Sequence, residues 1–337
     1  MRHLLIVLLS FSSVAFGEFD KVGTTTAQFL KMGVGARARG MGGSFVALAD
    51  DGTAHYWNPA GMVATEGISS TFSHTDWALD ITHEFVSVTL PRGQAGVFGV
   101  SISALTMDEK EVTTVIEQDG NGLYYNVMDM ALAASYARRM SDRLSYGMTL
   151  KYIHLAAYNE IAQTFAIDLG SILQTDFYGM KIGMALSNFG GEPKYSGRDL
   201  LHPVDVENDV DGNVTTEAEL KTESWPLPLM IRIGVAMDVI GQGDAILPSG
   251  SSRLTIALDA EHPNDAPEHV NLGVEFAFHE MFFLRGGYRF NYDLEKFTVG
   301  AGMKLPLASM VATIDYAVMP FGPFGTTSFI SIGVFLK

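Results

Sequence analysis

The feature that most constrains this chain is a period of two, repeated from Ile68 to the last residue. In the stretch 230–238, Ile231, Ile233, Val235 and Met237 lie on one face, and Arg232, Gly234, Ala236 and Asp238 on the other. Successive side chains of a strand point to opposite sides, so such alternation predicts a strand with one apolar and one polar face. The pattern recurs in Val270, Leu272, Val274, Phe276 and Phe278, and in Phe297, Val299, Ala301, Met303 and Leu305. Leu144, Tyr146, Met148, Leu150 and Tyr152 repeat it. Fourteen segments read this way: 67–75, 81–90, 95–105, 128–137, 144–154, 163–172, 178–187, 229–239, 253–261, 269–278, 282–290, 296–305, 310–318 and 327–336. An even number of alternating strands of ~10 residues is the signature of a transmembrane antiparallel β-barrel.

Composition agrees. The chain is 47% hydrophobic and 18% charged, yet no apolar run reaches the ~18 residues of a membrane helix. A large soluble sandwich or propeller also alternates, but it turns its polar face to water. Here that face is rich in Gly, Ala, Ser and Thr with scattered charges, which suits a confined lumen. The stretch 330–337 keeps the alternation to the chain end, as a last strand that pairs with the first requires.

Connection lengths supply a second argument. With both ends of the barrel on the periplasmic side, odd-numbered connections face outward. The two longest, 106–127 and 188–228, are the third and the seventh. The second (91–94), tenth (279–281) and twelfth (306–309) are tight, and all are even. Long outer loops with short inner turns are expected of such barrels. The connection 240–252 is longer than this rule prefers.

Residues 1–17 read as a secretory signal: Arg2 and His3 before the apolar run Leu4 to Leu9, then Ala15-Phe16-Gly17 as a cleavage site. The expected division is thus 1–17 signal, 18–66 N-terminal hatch, and 67–337 barrel. A net charge of −16 argues against nucleic acid as a partner. The absence of cysteine excludes disulfides, thiolate catalysis, zinc–thiolate sites and a cysteine-linked lipid anchor.

The stretch 33–62, GVGARARGMGGSFVALADDGTAHYWNPAGM, is neither a clean helix nor a strand. Gly40, Gly42 and Gly43 read as a tight lead-in to a short apolar helix, Phe45 to Ala49, which Asp50, Asp51 and Gly52 end with turn chemistry. Asn58 is placed to cap a second short helix, with Pro59 at its first position and Gly61 beyond. Gly33 to Ala38 match a loose G-x-G-x-x-A, but no βαβ unit surrounds them, so a dinucleotide site is not expected.

ARARGMGGSFVALADD, HYWNPAGM and the strand series resemble the PorV/PorQ family, within the wider FadL/TodX-like group of fourteen-stranded outer-membrane proteins. The resemblance implies that the N-terminal stretch forms a hatch inside the barrel, in the outer membrane of a diderm bacterium. FadL-like members carry hydrophobic small molecules such as long-chain fatty acids. PorV-like members are implied in type IX secretion, where they hold the C-terminal signal domains of exported proteins. The resemblance leaves both branches open. The secretion role is the leading expectation and the hydrophobic-solute channel the alternative, with membrane lipid the surrounding partner in either case.

Arg37 and Arg39 are the expected hatch anchors. The polar strand faces offer Asp168, Asp238, Asp259, Glu261, Glu275 and Asp315 as acceptors and Arg232, Arg285 and Arg289 as further donors. Bidentate arginine–carboxylate pairs suit such a confined network. In the long acidic connection, Asp205, Glu207, Asp209 and Asp211 alternate oxygen ligands as a calcium loop does, but no distal glutamate completes the set, and a solvated acidic turn is the stronger reading. The histidines are scattered without H-E-x-x-H and no G-x-S-x-G occurs, so neither catalysis nor a cofactor is expected.

Overall fold

The computed structural model describes residues 21–65, 67–204 and 216–336. The signal-like stretch 1–17 and the calcium candidates Asp205, Glu207, Asp209 and Asp211 lie outside the described residues. Fourteen long strands follow one another: β1 Ser69–Asp76, β2 Ile81–Pro91, β3 Val97–Met107, β4 Val127–Arg139, β5 Leu144–Ala157, β6 Glu160–Gln174 and β7 Lys181–Gly190. Then come β8 Met230–Gly241, β9 Ser252–Pro263, β10 His269–Phe278, β11 Phe282–Phe290, β12 Phe297–Pro306, β13 Met310–Pro320 and β14 Thr326–Leu336.

Each strand pairs antiparallel with its sequence neighbour, including β7 with β8 across the longest connection. The last strand pairs with the first, from Ser69 opposite Phe335 to Asp76 opposite Ser328. The sheet is therefore a closed barrel, in which each main strand is paired on both sides and no edge strand is left. The faces follow the alternation read above. In β8, Arg232, Gly234 and Ala236 point inward, while Ile231 and Ile233 stay exposed on the outside. An outer apolar band runs round the ring, for example Val100, Leu150, Leu169, Leu258, Leu284 and Ile332. Aromatic side chains mark its two margins: Phe98, Tyr146, Phe278 and Phe282 at one, Phe165, Phe189, Phe290 and Phe297 at the other. Apolar bands flanked by aromatic girdles are the mark of strands that meet lipid.

The long-loop end carries the odd connections and the short-turn end the even ones. Two of the long loops hold hairpins of their own, Lys110–Glu111 with Tyr124–Tyr125 and Leu201–Val204 with Thr216–Glu219. The eighth connection, the long exception among the short turns, folds back on the wall: Leu247–Pro248 pairs with Ile240 and Gly241.

Residues 28–65 fill the bore. They form a 3-10 turn at Gln28–Lys31, α1 at Ala36–Gly40, α2 at Ala54–Trp57, and a 3-10 helix at Pro59–Ala64. The expected helix at Phe45–Ala49 is absent. That run is a chain of turns, and the short helices flank it. Its backbone is committed elsewhere: the carbonyl of Val46, which a helix would need as an acceptor, takes the Asn58 side-chain amide at 2.8 Å, while Phe45 and Val46 donate their own amides to Asp259 on β9. Phe45 and Trp57 meet edge to face, 6.3 Å between ring centres, and with Met41 and Met62 they are nearly or fully buried. Each such side chain contributes about 1.5–3 kcal/mol of burial.

Inward glycines of the wall make room for this segment. A Cβ on Gly287 of β11 would fall 2.2 Å from the amide nitrogen of Gly42, and one on Gly183 of β7 would fall 2.4 Å from the carbonyl of Val46. Gly42 itself holds a left-handed φ of 70°, which a side chain would strain.

Candidate functional site

The plug segment divides the bore into cavities on its two sides, and α1 presents one arginine to each. Arg37 faces the short-turn end, where a cavity of about 640 Å³ is lined by Asp50, Asp51, Arg253, Glu280, Arg285 and Asp315, with Phe283, Met303 and Phe335 among its apolar walls. The arginines of its wall converge on Glu275 of β10, which is fully buried. Its carboxylate accepts from Arg37 Nε at 3.0 Å, from Arg285 Nε at 2.7 Å and from Arg253 at 2.9 Å. Arg37 reaches back to Asp50 at 2.5 Å and Asp51 at 3.4 Å, and Arg285 reaches Asp315 at 2.6 Å. Every guanidinium here is held by at least two carboxylates, since Arg253 also takes Glu280 at 2.8 Å.

Arg39 turns the other way. It lines a cavity of about 260 Å³ at the long-loop end, together with Trp57, Trp77, Arg232, Glu261, His269, Asn271, Arg289, Tyr292 and Glu295. The nearest carboxylate, that of Glu295 in the connection after β11, is 3.6 Å away, beyond hydrogen-bond distance. Its remaining contacts are the sulfur of Met319 at 3.2 Å and the ring of Phe329, 4.9 Å from the guanidinium carbon. The expectation that both arginines anchor on inward strand acids is therefore corrected for Arg39, because α1 is a helix of little more than one turn and residues two apart point to opposite sides.

The other expected network residues are inward but do not form one network. Arg232 pairs with Glu261 at 3.1 Å and lies over the rings of Tyr56 and Trp57, each 5.3 Å away. Arg289 contacts Glu295 and covers the ring of Tyr292. Asp238 accepts from Thr255 at 2.5 Å. Asp168 meets Lys151 at 2.6 Å and the amide of Asn188 at 2.8 Å, within the wall. Asp259 meets no arginine and serves the plug backbone instead, as described above.

Several contributors carry weak sequence signals. Asn58 caps the Pro59–Ala64 helix through Ala60, and its amide also ties the plug to the wall, donating to the carbonyls of Val46 at 2.8 Å and Ser171 at 3.0 Å. His55 bridges Thr89 and Ser135 at 3.0 Å each. Gly40 ends α1, where its carbonyl accepts from Thr298 of β12 at 3.1 Å. Gly43 lines the long-loop cavity, and Gly61 lines a third of about 230 Å³ near the turn after β4. The lead-in to the plug is fastened by Asp265, which accepts from Gln28 at 2.8 Å and Lys31 at 2.9 Å. Burial pushes the Asp265 carboxyl up, but hydrogen bonds from Thr25, Gln28 and Lys31 outweigh it and hold it below the usual carboxylate range.

Among the described residues no helix is long and apolar enough to cross a membrane, and no group of three or more His, Asp or Glu side chains is placed to hold a metal ion. A family model, Type IX secretion system protein PorV, matches residues 17–208, more than half of the chain. The chain belongs to the PorV family. A comparison with curated protein sequences finds no match. Among solved structures, the Pseudomonas putida toluene transporter TodX is similar at 12% identity, with a TM-score of 0.56, 90% of this chain covered and 97% of that one. The Ralstonia pickettii toluene transporter TbuX is similar at 13% identity and a TM-score of 0.53, with 90% and 97% covered. A Pseudomonas aeruginosa FadL homologue gives 10% identity, a TM-score of 0.52, and 89% and 97% covered. At such identities the likeness is one of fold. This PorV-family member is thus a fourteen-stranded barrel of FadL-like architecture, located in the outer membrane of a diderm bacterium. Its family and fold are those of secretion and transport barrels rather than of enzymes.

Proposed function

We propose that this chain acts as a binding and shuttling component of type IX secretion, holding the C-terminal signal domains of exported proteins at the outer membrane. The observation that carries the reading is the PorV family match, which spans the plug segment and the first seven strands. Two features of the structure support it. The bore is filled by a plug with a buried apolar centre, and the cavity at the short-turn end is lined by charged side chains rather than by a continuous apolar surface. At the opposite end the long loops present apolar side chains that a protein partner can cover: Val115 and Ile116 are more than nine-tenths exposed, and Trp225 about half. In this reading residues 18–66 are a hatch that stays shut, the long loops face the cell exterior, and the exported protein is handled there rather than through the bore.

The test is a deletion of this gene in a host that has type IX machinery, with a surface reporter fused to a C-terminal signal domain. The expected outcome is reporter retained in the periplasm, restored to the surface by the full chain and not by one lacking the loop between β7 and β8. Normal surface delivery in the deletion strain, with uptake of a hydrophobic solute lost instead, would overturn the secretion role in favour of a FadL-type channel.

A further inference from the structure

The long-loop cavity holds more positive charge than its own acids neutralise. Glu261 is committed, since it accepts from Arg232 at 3.1 Å and from the Tyr292 hydroxyl at 3.0 Å. That leaves Glu295 alone between Arg39 and Arg289. Both arginines are more than nine-tenths buried, and in each the Nε–H has no hydrogen-bond partner. A buried donor left unmade costs about 1–3 kcal/mol, more for a charged group. Arg39 thus has no carboxylate within hydrogen-bond distance and shares its nearest acid with Arg289, so the cavity wall carries one guanidinium charge without an acid of its own.

The remaining wall defines what carries that anion. Trp57, Trp77 and Tyr292 line the cavity, and the Tyr292 ring stacks on His269 with centres 3.9 Å apart. With Arg289 over its other face, Tyr292 is enclosed, and Trp57 and Trp77 are the aromatic surfaces left to meet an apolar body. The volume of about 260 Å³ is below the ~300–1,000 Å³ of sites for drug-sized ligands. Lys31 also lines the cavity but is paired with Asp265 at 2.9 Å, so the surplus is one positive charge, which matches a monoanion better than a phosphate. We propose that this cavity binds a small organic carboxylate of benzoate size, its carboxylate accepting from Arg39 and Arg289 and its apolar body lying among the aromatic rings. The inference stands whichever transport role the barrel has, because it rests only on the cavity.

Tryptophan fluorescence of the full chain in detergent tests it, since two of the three tryptophans, Trp57 and Trp77, line the cavity. Benzoate is expected to give a saturable change. Benzamide, which has the same shape without the charge, and inorganic phosphate should each bind at least tenfold more weakly. Arg39→Gln and Arg289→Gln should each weaken benzoate at least tenfold, while Lys110→Gln, on an exposed loop, behaves as the parent; the heat-resistant barrel band on a gel checks that the variants fold. Equal binding of benzoate and benzamide by the parent would overturn the proposal without any variant, as would unchanged affinity in both folded glutamine variants. A peptide with a free C-terminus that binds where benzoate does not would overturn the small-acid assignment.

Discussion

The two sides of the plug treat arginine in opposite ways. Towards the short-turn end, Arg37, Arg253 and Arg285 converge on one buried carboxylate, Glu275, and each has a second acid of its own. Towards the long-loop end, Arg39 and Arg289 share Glu295, and both leave a buried N–H unmatched. Buried ion pairs gain little net stability over apolar packing, but breaking one strands a charge and costs far more. The first arrangement is therefore a fastening, and the second leaves guanidinium charge only partly matched by acids. One short helix supplies an arginine to each, so the contrast is built into residues two apart.

Glu275→Ala is the strongest way to break this comparison, because three guanidinium groups lose their shared carboxylate at once, each keeping only its second acid. It should loosen the plug by about 3–5 kcal/mol, while the wall keeps its interstrand bonds. In planar bilayers the variant should open more often or more widely than the parent, with the heat-resistant band retained. Unchanged conductance and equal protease resistance of residues 28–65 would mean that the carboxylate does not fasten the plug.

Arg37→Ala removes one spoke and leaves Glu275 with two. Its loss should be smaller, about 1.5–3 kcal/mol for hydrogen bonds to charged groups, read as fewer openings than in Glu275→Ala. An effect as large as that of Glu275→Ala would show that Arg37 alone holds the plug.

Arg39→Ala sharpens the contrast from the other side. It gives up the contact over Phe329 but relieves the crowding of Arg39 and Arg289. The net change should be within about 1 kcal/mol, with parent-like conductance. A plug as loose as that of Arg37→Ala would make both arginines fastenings and end the distinction.

The smallest effect is expected at the lead-in. The Asp265 carboxyl is held low, so it contributes stability that is present above its unfolded value of about 3.9 and lost as pH falls through the folded one. Hydrogen exchange over residues 24–32 should rise in Asp265→Asn at neutral pH and differ less from the parent below about pH 4. A difference that grows on acidification would reverse the sign and remove Asp265 as the clasp.

Much of this was legible in the sequence. Alternation fixes which side chains face in and which face out, so all fourteen strands, the apolar outer face and the inward positions of Arg232, Asp259 and Glu275 could be read directly. Connection length separated the two ends. The capping role of Asn58 ahead of Pro59 followed from local chemistry alone. The helix expected at Phe45–Ala49 is absent because a local apolar run does not show tertiary partners: Asn58 takes the Val46 carbonyl that a helix would have used, and Asp259, more than two hundred residues on, holds the amides of Phe45 and Val46.

What tertiary structure alone decided is partnership. A period of two gives the face of a residue and says nothing of its depth in the barrel or of its neighbour around the ring. The tight turn after β10 sets Glu275 opposite Arg285 on β11, but only the closed barrel with its plug in place brings Arg253 on β9 and the plug's Arg37 to the same carboxylate. The same closure lifts Arg39 to the other side, against Met319 and Phe329, where no strand carboxylate reaches it. Sequence set the two faces of the wall; the register of the closed ring set which charges are spent and which are left over.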